Sequence, residues 1–216
     1  MNASEQIVEM AKKMMILGLV KGTWGNISMK KDDKIYITPS GKGYDKLMAE
    51  DVAVVDTKNG KQINNGPKAS SELPLHLLIY KTFPKIKGIV HTHSIYASTF
   101  AAINKPIPCY IEDQAQIIGG KIPVANYAFP GTRELAENAV EKLRLGVFGI
   151  LLSNHGAVGV GRSLNEAMIA AQIIEKSAEI ALLIKTSGEE GRELSEEEID
   201  KMRDIYLNKY SSDIAK

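Results

Sequence analysis

The sequence predicts an α/β protein, a mixed sheet covered by helices, and three observations predict it. Short apolar strands joined by turn residues fill the stretch from Ile27 to Ile63. Beyond Ser70, apolar strands alternate with helical stretches. Apolar residues make up 44% of the 216 positions, enough for one well-buried core and one domain over 1–216.

The elements follow in order. Ser4 is placed to cap a first helix whose apolar stripe includes Ile7, Ala11 and Met14. Gly18 or Gly22 ends it. Gly22-Thr-Trp-Gly-Asn-Ile-Ser28 leads into a strand at 27–29. Asp32-Asp33 turns the chain into a second strand at 34–38. A third, at 52–56, meets 61–63 through Asn59-Gly60, the strongest short hairpin signal. Ser70 or Ser71 caps a helix to about Thr82, with Pro74 in its first turn. Strands are then expected at 86–90, 122–125 and 147–152. Helices are expected at 94–102, 112–119, 133–144 and from Ser163 to about Lys185. The polar stretch 188–194 is expected to be mobile. Ser195-Glu-Glu-Glu opens a last helix in a C-terminal tail over 195–216.

Composition narrows the function. A net charge of +1 gives no electrostatic reason to expect nucleic acid or an anionic membrane. One cysteine, Cys109, excludes an intrachain disulfide and fits a reducing compartment. The apolar run at 14–20 is too short to span a bilayer, and no secretory leader pattern precedes it. The expected location is cytoplasmic.

The chemistry centres on histidine. Of four histidines, His91 and His93 close the apolar run at 86–90. Residues i and i+2 of a strand share a face, which puts these imidazoles roughly 6–7 Å apart at Cα, within reach of one cation. His155 follows a second apolar strand in a glycine-flanked turn. Three imidazoles with an open position mark a catalytic rather than a structural zinc. His-X-His alone also fits two hydrogen-bonded strand residues, and several metal families use it. Binuclear hydrolases usually continue with Asp-His, whereas Ser94-Ile95-Tyr96 follow here. His76, among Leu75, Leu77 and Leu78, reads as structural.

Ser70-Ser71-Glu72 sits where a helix N-terminus offers free N–H groups to a phosphate, and Glu72 near a metal suits proton transfer. Trp24-Gly25-Asn26 and Thr38-Pro39-Ser40-Gly41 are further loops able to approach an anion. Read alone, the first is an ordinary helix cap and the others are plain turns. There is no Walker loop. Gly156-Ala-Val-Gly159-Val-Gly161 lacks the dinucleotide spacing.

Together these stretches resemble the class II aldolase family of L-fuculose-1-phosphate aldolases and L-ribulose-5-phosphate 4-epimerases. The matching residues are Gly25-Asn26-Ile27-Ser28, Thr38-Pro39-Ser40-Gly41, Ser70-Ser71-Glu72, His91-Thr92-His93-Ser94 and Asn154-His155-Gly156, in the family's order. The resemblance implies an α/β/α sandwich around a mostly antiparallel sheet. It implies a homotetramer with active sites at subunit interfaces. It implies that His91, His93 and His155 hold zinc or another divalent transition metal, with Glu72 as acid/base and metal contact. Asn26, Ser40, Gly41, Ser70 and Ser71 would cradle the phosphate of a sugar phosphate. The implied reaction splits L-fuculose 1-phosphate, or a similar deoxyketose 1-phosphate, into dihydroxyacetone phosphate and L-lactaldehyde, or a similar aldehyde, through a zinc-stabilised enediolate. A 4-epimerase or a methylthioribulose-1-phosphate dehydratase or aldolase is the alternative on this scaffold. The glutamate at 72 favours the aldolase, since the epimerases usually carry aspartate there. Asp113 stands where fuculose aldolases place a tyrosine from the neighbouring subunit. The family's C-terminal tail carries a tyrosine over the site; Tyr210 is one residue off that position in an ungapped match and is the candidate taken, with Tyr206 one turn earlier. Non-catalytic cytoskeletal members lose the metal histidines, and this chain keeps all three.

Overall fold

The computed structural model describes residues 1–210, and for Lys209 and Tyr210 the backbone alone. Among the described residues seven strands form one sheet: β1 (Asn26–Lys31), β2 (Lys34–Ile37), β3 (Ala53–Asp56), β4 (Gly88–Thr92), β5 (Val124–Ala125), β6 (Gly149–Leu152) and β7 (Gly156–Gly161). Their order is β3-β2-β1-β4-β7-β6-β5, antiparallel at every pairing except β5 with β6. The helices are α1 (Ala3–Ile16), α2 (Leu73–Thr82), α3 (Ile95–Ala102), α4 (Glu112–Ile117), α5 (Arg133–Leu143), α6 (Leu164–Ser187) and α7 (Glu196–Ile205). The architecture is the expected sandwich.

The core lies on both faces of the sheet, as the alternation of a strand requires. Ile89 and Val90 are consecutive and fully buried. Ile89 packs in the cluster that holds Leu75 and Ile79 of α2. Val90 packs with Ile7 and Met14 of α1 and Met168 of α6. Among the described residues no helix is long and apolar enough to cross a membrane.

Several sequence expectations need correction. The cap of α1 is Asn2, not Ser4. Its side chain accepts from Glu5 N (2.9 Å) while Glu5 accepts from Asn2 N (2.7 Å), a reciprocal pair that starts the helix two residues earlier. Helix α2 has Glu72 at its N-cap position, and Ser70 Oγ only accepts from Glu72 N at 3.3 Å. The strand expected at 61–63 is reduced to one bridge, Val55 with Gln62. The Asn64 side chain instead satisfies Val54 N and Val52 O, both at 2.9 Å. Stretch 189–194 takes neither helix nor strand, and Leu194 N ties it to the Cys109 carbonyl at 2.8 Å.

The largest omission is β7, the strand that carries the chain away from His155. Three glycines argue against a strand by propensity. Here they are required by close approach. A Cβ on Gly156 would collide with the Thr92 carbonyl of β4, and one on Gly159 would lie 2.7 Å from Ala171 N of α6. Without these methylene-sized gaps, neither β4 nor α6 would seat against β7.

Candidate metal centre and anion cleft

Antiparallel pairing of β4 with β7 assembles the histidines. His91 pairs with Val158 and Thr92 with Ala157, so the ends of both strands meet. His155 sits in the tight turn 153–155 from β6 to β7, where Asn154 takes φ +55°, a conformation asparagine tolerates better than most residues. His93 leaves β4 with its N–H held by Leu19 O at 3.2 Å. The ring centroids of the three imidazoles lie 4.8–4.9 Å apart.

Hydrogen bonding fixes how His91 presents itself. Its Nδ1 lies 2.9 Å from the Ala157 carbonyl, which only accepts, so Nδ1 carries the proton and Nε2 offers a lone pair. His93 Nε2 approaches it at 2.9 Å. Glu72 Oε2 also faces it at 3.1 Å, while Glu72 Oε1 faces His155 Nε2 at 3.2 Å. A lone pair and a carboxylate oxygen at that separation repel unless a cation or proton lies between them. The ligating atoms of His91, His93 and His155 all fall within 4.8 Å of one another, a nitrogen donor set suited to zinc and its neighbours in the transition series. The residues therefore fit a divalent metal.

The charge state agrees. Burial pushes the His93 imidazole down to about 3 and the His155 imidazole down to about 4, so both are neutral ligands at pH 7. Burial alone would raise the Glu72 carboxyl. The facing His91 and His155 and the Asn26 amide outweigh it and hold the group down to about 2. Asn26 Nδ2 donates to Glu72 Oε2 at 2.9 Å.

A cleft of about 480 Å³ opens over this centre. Ser40, Gly41, Ser70 and Ser71 all line it. A bridge between Pro39 and Ala69 zips their loops together, with Ser40 N on Lys68 O (2.9 Å) and Ser70 N on Thr38 O (3.1 Å). Gly131, at φ +77°, passes so close to the Ser71 carbonyl that a Cβ would sit 2.9 Å from it. That contact brings Tyr127 and Pro130 to the rim, two lining residues the sequence reading missed. Trp24 is 68% exposed at the same mouth, its ring 5.9 Å from that of His93.

The structure thus brings together eight of the sequence-predicted residues around one cleft and places His91 in its floor, touching Glu72. It places Asp113 elsewhere. That residue lies on α4, paired with Lys176 of α6, and does not line the cleft of its own chain. The side chain of Tyr210 lies outside the described residues. Tyr206 is buried, with its hydroxyl on Glu166 at 2.7 Å. His76 is fully buried, as its structural reading expected, and its Nε2 lies 2.5 Å from Asn26 Oδ1.

The sheet, the histidine centre and the serine loops define a class of metal-dependent sugar-phosphate enzymes, and comparison with known proteins agrees. The sequence matches the Class II Aldolase and Adducin N-terminal domain family over residues 5–182. An L-fuculose phosphate aldolase of Methanococcus maripaludis is 38% identical over 165 residues, covering 76% of this chain and 88% of that protein. A probable L-ribulose-5-phosphate 4-epimerase of Mycoplasma pneumoniae is 39% identical over 153 residues, 70% of this chain and 60% of that protein. A solved L-fuculose 1-phosphate aldolase superposes with a TM-score of 0.90 at 32% identity, covering 95% of this chain and 96% of that one. The chain belongs to the class II aldolase family and is an enzyme of that type.

Proposed function

We propose that the protein is a zinc-dependent aldolase that cleaves L-fuculose 1-phosphate, or a similar deoxyketose 1-phosphate, to dihydroxyacetone phosphate and L-lactaldehyde or a similar aldehyde. One observation carries the reading. A buried glutamate touches two histidines of a three-imidazole centre at the floor of a cleft whose wall is lined by paired serine loops.

His91, His93 and His155 would hold the metal, which supplies Lewis acidity to a carbonyl and its neighbouring hydroxyl when bound. The chain's own groups do the rest. Asn26, Ser70, Ser71 and the Ser40-Gly41 loop offer N–H and O–H donors to the phosphate, close to the positive end of α2. Phosphate binding fixes the carbon chain over the histidines and makes the reacting geometry intramolecular. In cleavage the C3–C4 electron pair stays on C3 and the C4 hydroxyl gives up its proton as the aldehyde forms. Glu72 would take up a proton and deliver it to the carbon that becomes C3 of dihydroxyacetone phosphate, and in the reverse direction its carboxylate would take that proton back. Burial favours the protonated form of Glu72, while the facing His91 and His155 and the Asn26 amide favour its carboxylate.

Asp113 and Tyr210 fit the reading as residues a chain contributes to a neighbour's cleft in a homotetramer, handling the aldehyde end. The 4-epimerase relative keeps a second reading on the same centre, supported by the same histidines. Incubating zinc-loaded protein with L-fuculose 1-phosphate and coupling to a dihydroxyacetone phosphate reductase separates them. Steady release of dihydroxyacetone phosphate supports the aldolase. No release, with interconversion of pentulose 5-phosphates instead, overturns it.

A further inference from the structure

Behind the cleft, three side chains with no access to it form a chain of hydrogen bonds that ends on Glu72. Tyr80 OH lies 2.8 Å from Ser28 Oγ, Ser28 Oγ lies 2.6 Å from His76 Nδ1, and His76 Nε2 lies 2.5 Å from Asn26 Oδ1. Asn26 Nδ2 then reaches Glu72 Oε2. Ser28 and His76 are fully buried and Tyr80 is 2% exposed.

The direction of every proton in this chain follows from its end. An ionised carboxylate only accepts, so the Asn26 NH₂ must face Glu72 and the Asn26 carbonyl must face His76. That carbonyl only accepts, so His76 Nε2 must carry a proton. Burial keeps the His76 ring neutral, with its proton affinity pushed down to about 3, so Nδ1 is a bare lone pair. Ser28 must donate to it, and the Tyr80 hydroxyl, 3.5 Å from the Lys87 carbonyl but 2.8 Å from Ser28 Oγ, donates to Ser28. Every link donates toward Glu72. Reversing the Asn26 amide would set its oxygen against the carboxylate and its NH₂ against an N–H.

We propose that His76, backed by Ser28 and Tyr80, is a positioning residue that locks the Asn26 amide in one orientation. One amide N–H is thereby spent on Glu72, and the other is kept toward the cleft for an oxyanion of the substrate. The inference rests on the reading that Asn26 belongs to the phosphate cradle.

Two measurements on zinc-loaded, ¹⁵N-histidine-labelled protein test it. Long-range ¹H–¹⁵N correlation should show His76 protonated at Nε2 and bare at Nδ1; the opposite tautomer overturns the proposal. Calorimetric titration with inorganic phosphate should give wild-type affinity for His76→Gln, whose amide can donate and accept in place of the ring. His76→Leu should bind about tenfold more weakly at unchanged zinc content. Wild-type affinity in a folded His76→Leu protein overturns the proposal. Should that variant not fold, Ser28→Ala removes the donor behind the ring and should weaken phosphate about threefold, with no change being the contrary result. Wild-type protein that binds no phosphate refutes the cradle instead, and the tautomer then decides the positioning claim alone.

Discussion

Glu72 Oε2 and His91 Nε2 face each other at 3.1 Å, with the other ring nitrogen of His91 turned to the Ala157 carbonyl at 2.9 Å. His91, His93 and His155 put their ligating atoms within 4.8 Å of one another, so a divalent metal bound there should stabilise the fold itself. Zinc at one hundred times its dissociation constant should add about 2.7 kcal/mol, and chelation should lower Tm by roughly 5–10 °C. Calorimetry with and without chelator checks this. An unchanged Tm would mean that the histidines hold no structural charge.

Gly156 joins the third histidine to the sheet, and its α-carbon faces the Thr92 carbonyl with no room for a methyl. Gly156→Ala should cost roughly 1–3 kcal/mol of stability by forcing β4 and β7 apart. It should also weaken metal binding, since His155 would shift relative to His91. Denaturant unfolding and metal analysis read the two effects separately.

Acid should destabilise the metal-free protein well before its carboxylates titrate. His76 and His93 are held near 3 and His155 near 4, against 6.5 for a free imidazole. The unfolded chain thus takes up protons that the folded chain refuses. This stability is complete above about pH 6.5 and is lost as pH falls through the window from there to about 3. The fully buried His76 contributes a slope of about 1.4 kcal/mol per pH unit in that window, and the partly open His93 less. Unfolding free energies between pH 7 and pH 4 that stay flat would contradict the assignment.

Tyr206 belongs to the core and not to the cleft. Its hydroxyl donates to Glu166, which also binds Arg162, at the end of β7 remote from His155. Tyr206→Phe should cost roughly 1–2 kcal/mol of stability and leave kcat and KM unchanged. A large fall in kcat with stability intact would place this tyrosine in the chemistry.

What could be read from the sequence, and what could not, divides along physical lines. The hairpin of β1 and β2 was legible because alternating apolar residues and the Asp32-Asp33 turn agree, and Asp32 indeed takes φ +53°. The three histidines were legible because a strand's period places His91 and His93 on one side. Strand β7 was not, because propensity disfavours glycine there, and the need for it comes from β4 and α6, which are distant in sequence. His76 was read as structural and is fully buried, but its contacts with Asn26 and Ser28 were not legible. Its leucine neighbours Leu75, Leu77 and Leu78 made it look like core, while its partners Asn26 and Ser28 come from a strand almost fifty residues earlier. The serine loops stood out in the sequence and line one cleft, yet the backbone bridge that joins Pro39 to Ala69 has no local signature.

The most direct test of the account is the Glu72→Gln variant assayed for dihydroxyacetone phosphate from L-fuculose 1-phosphate, with bound zinc measured on the same sample. The amide keeps the shape of the side chain and the three imidazoles stay in place, so zinc should remain at one per chain while turnover falls by about 10²–10⁴-fold. Turnover close to wild type at full zinc occupancy would show that Glu72 moves no proton, and the central claim would fail.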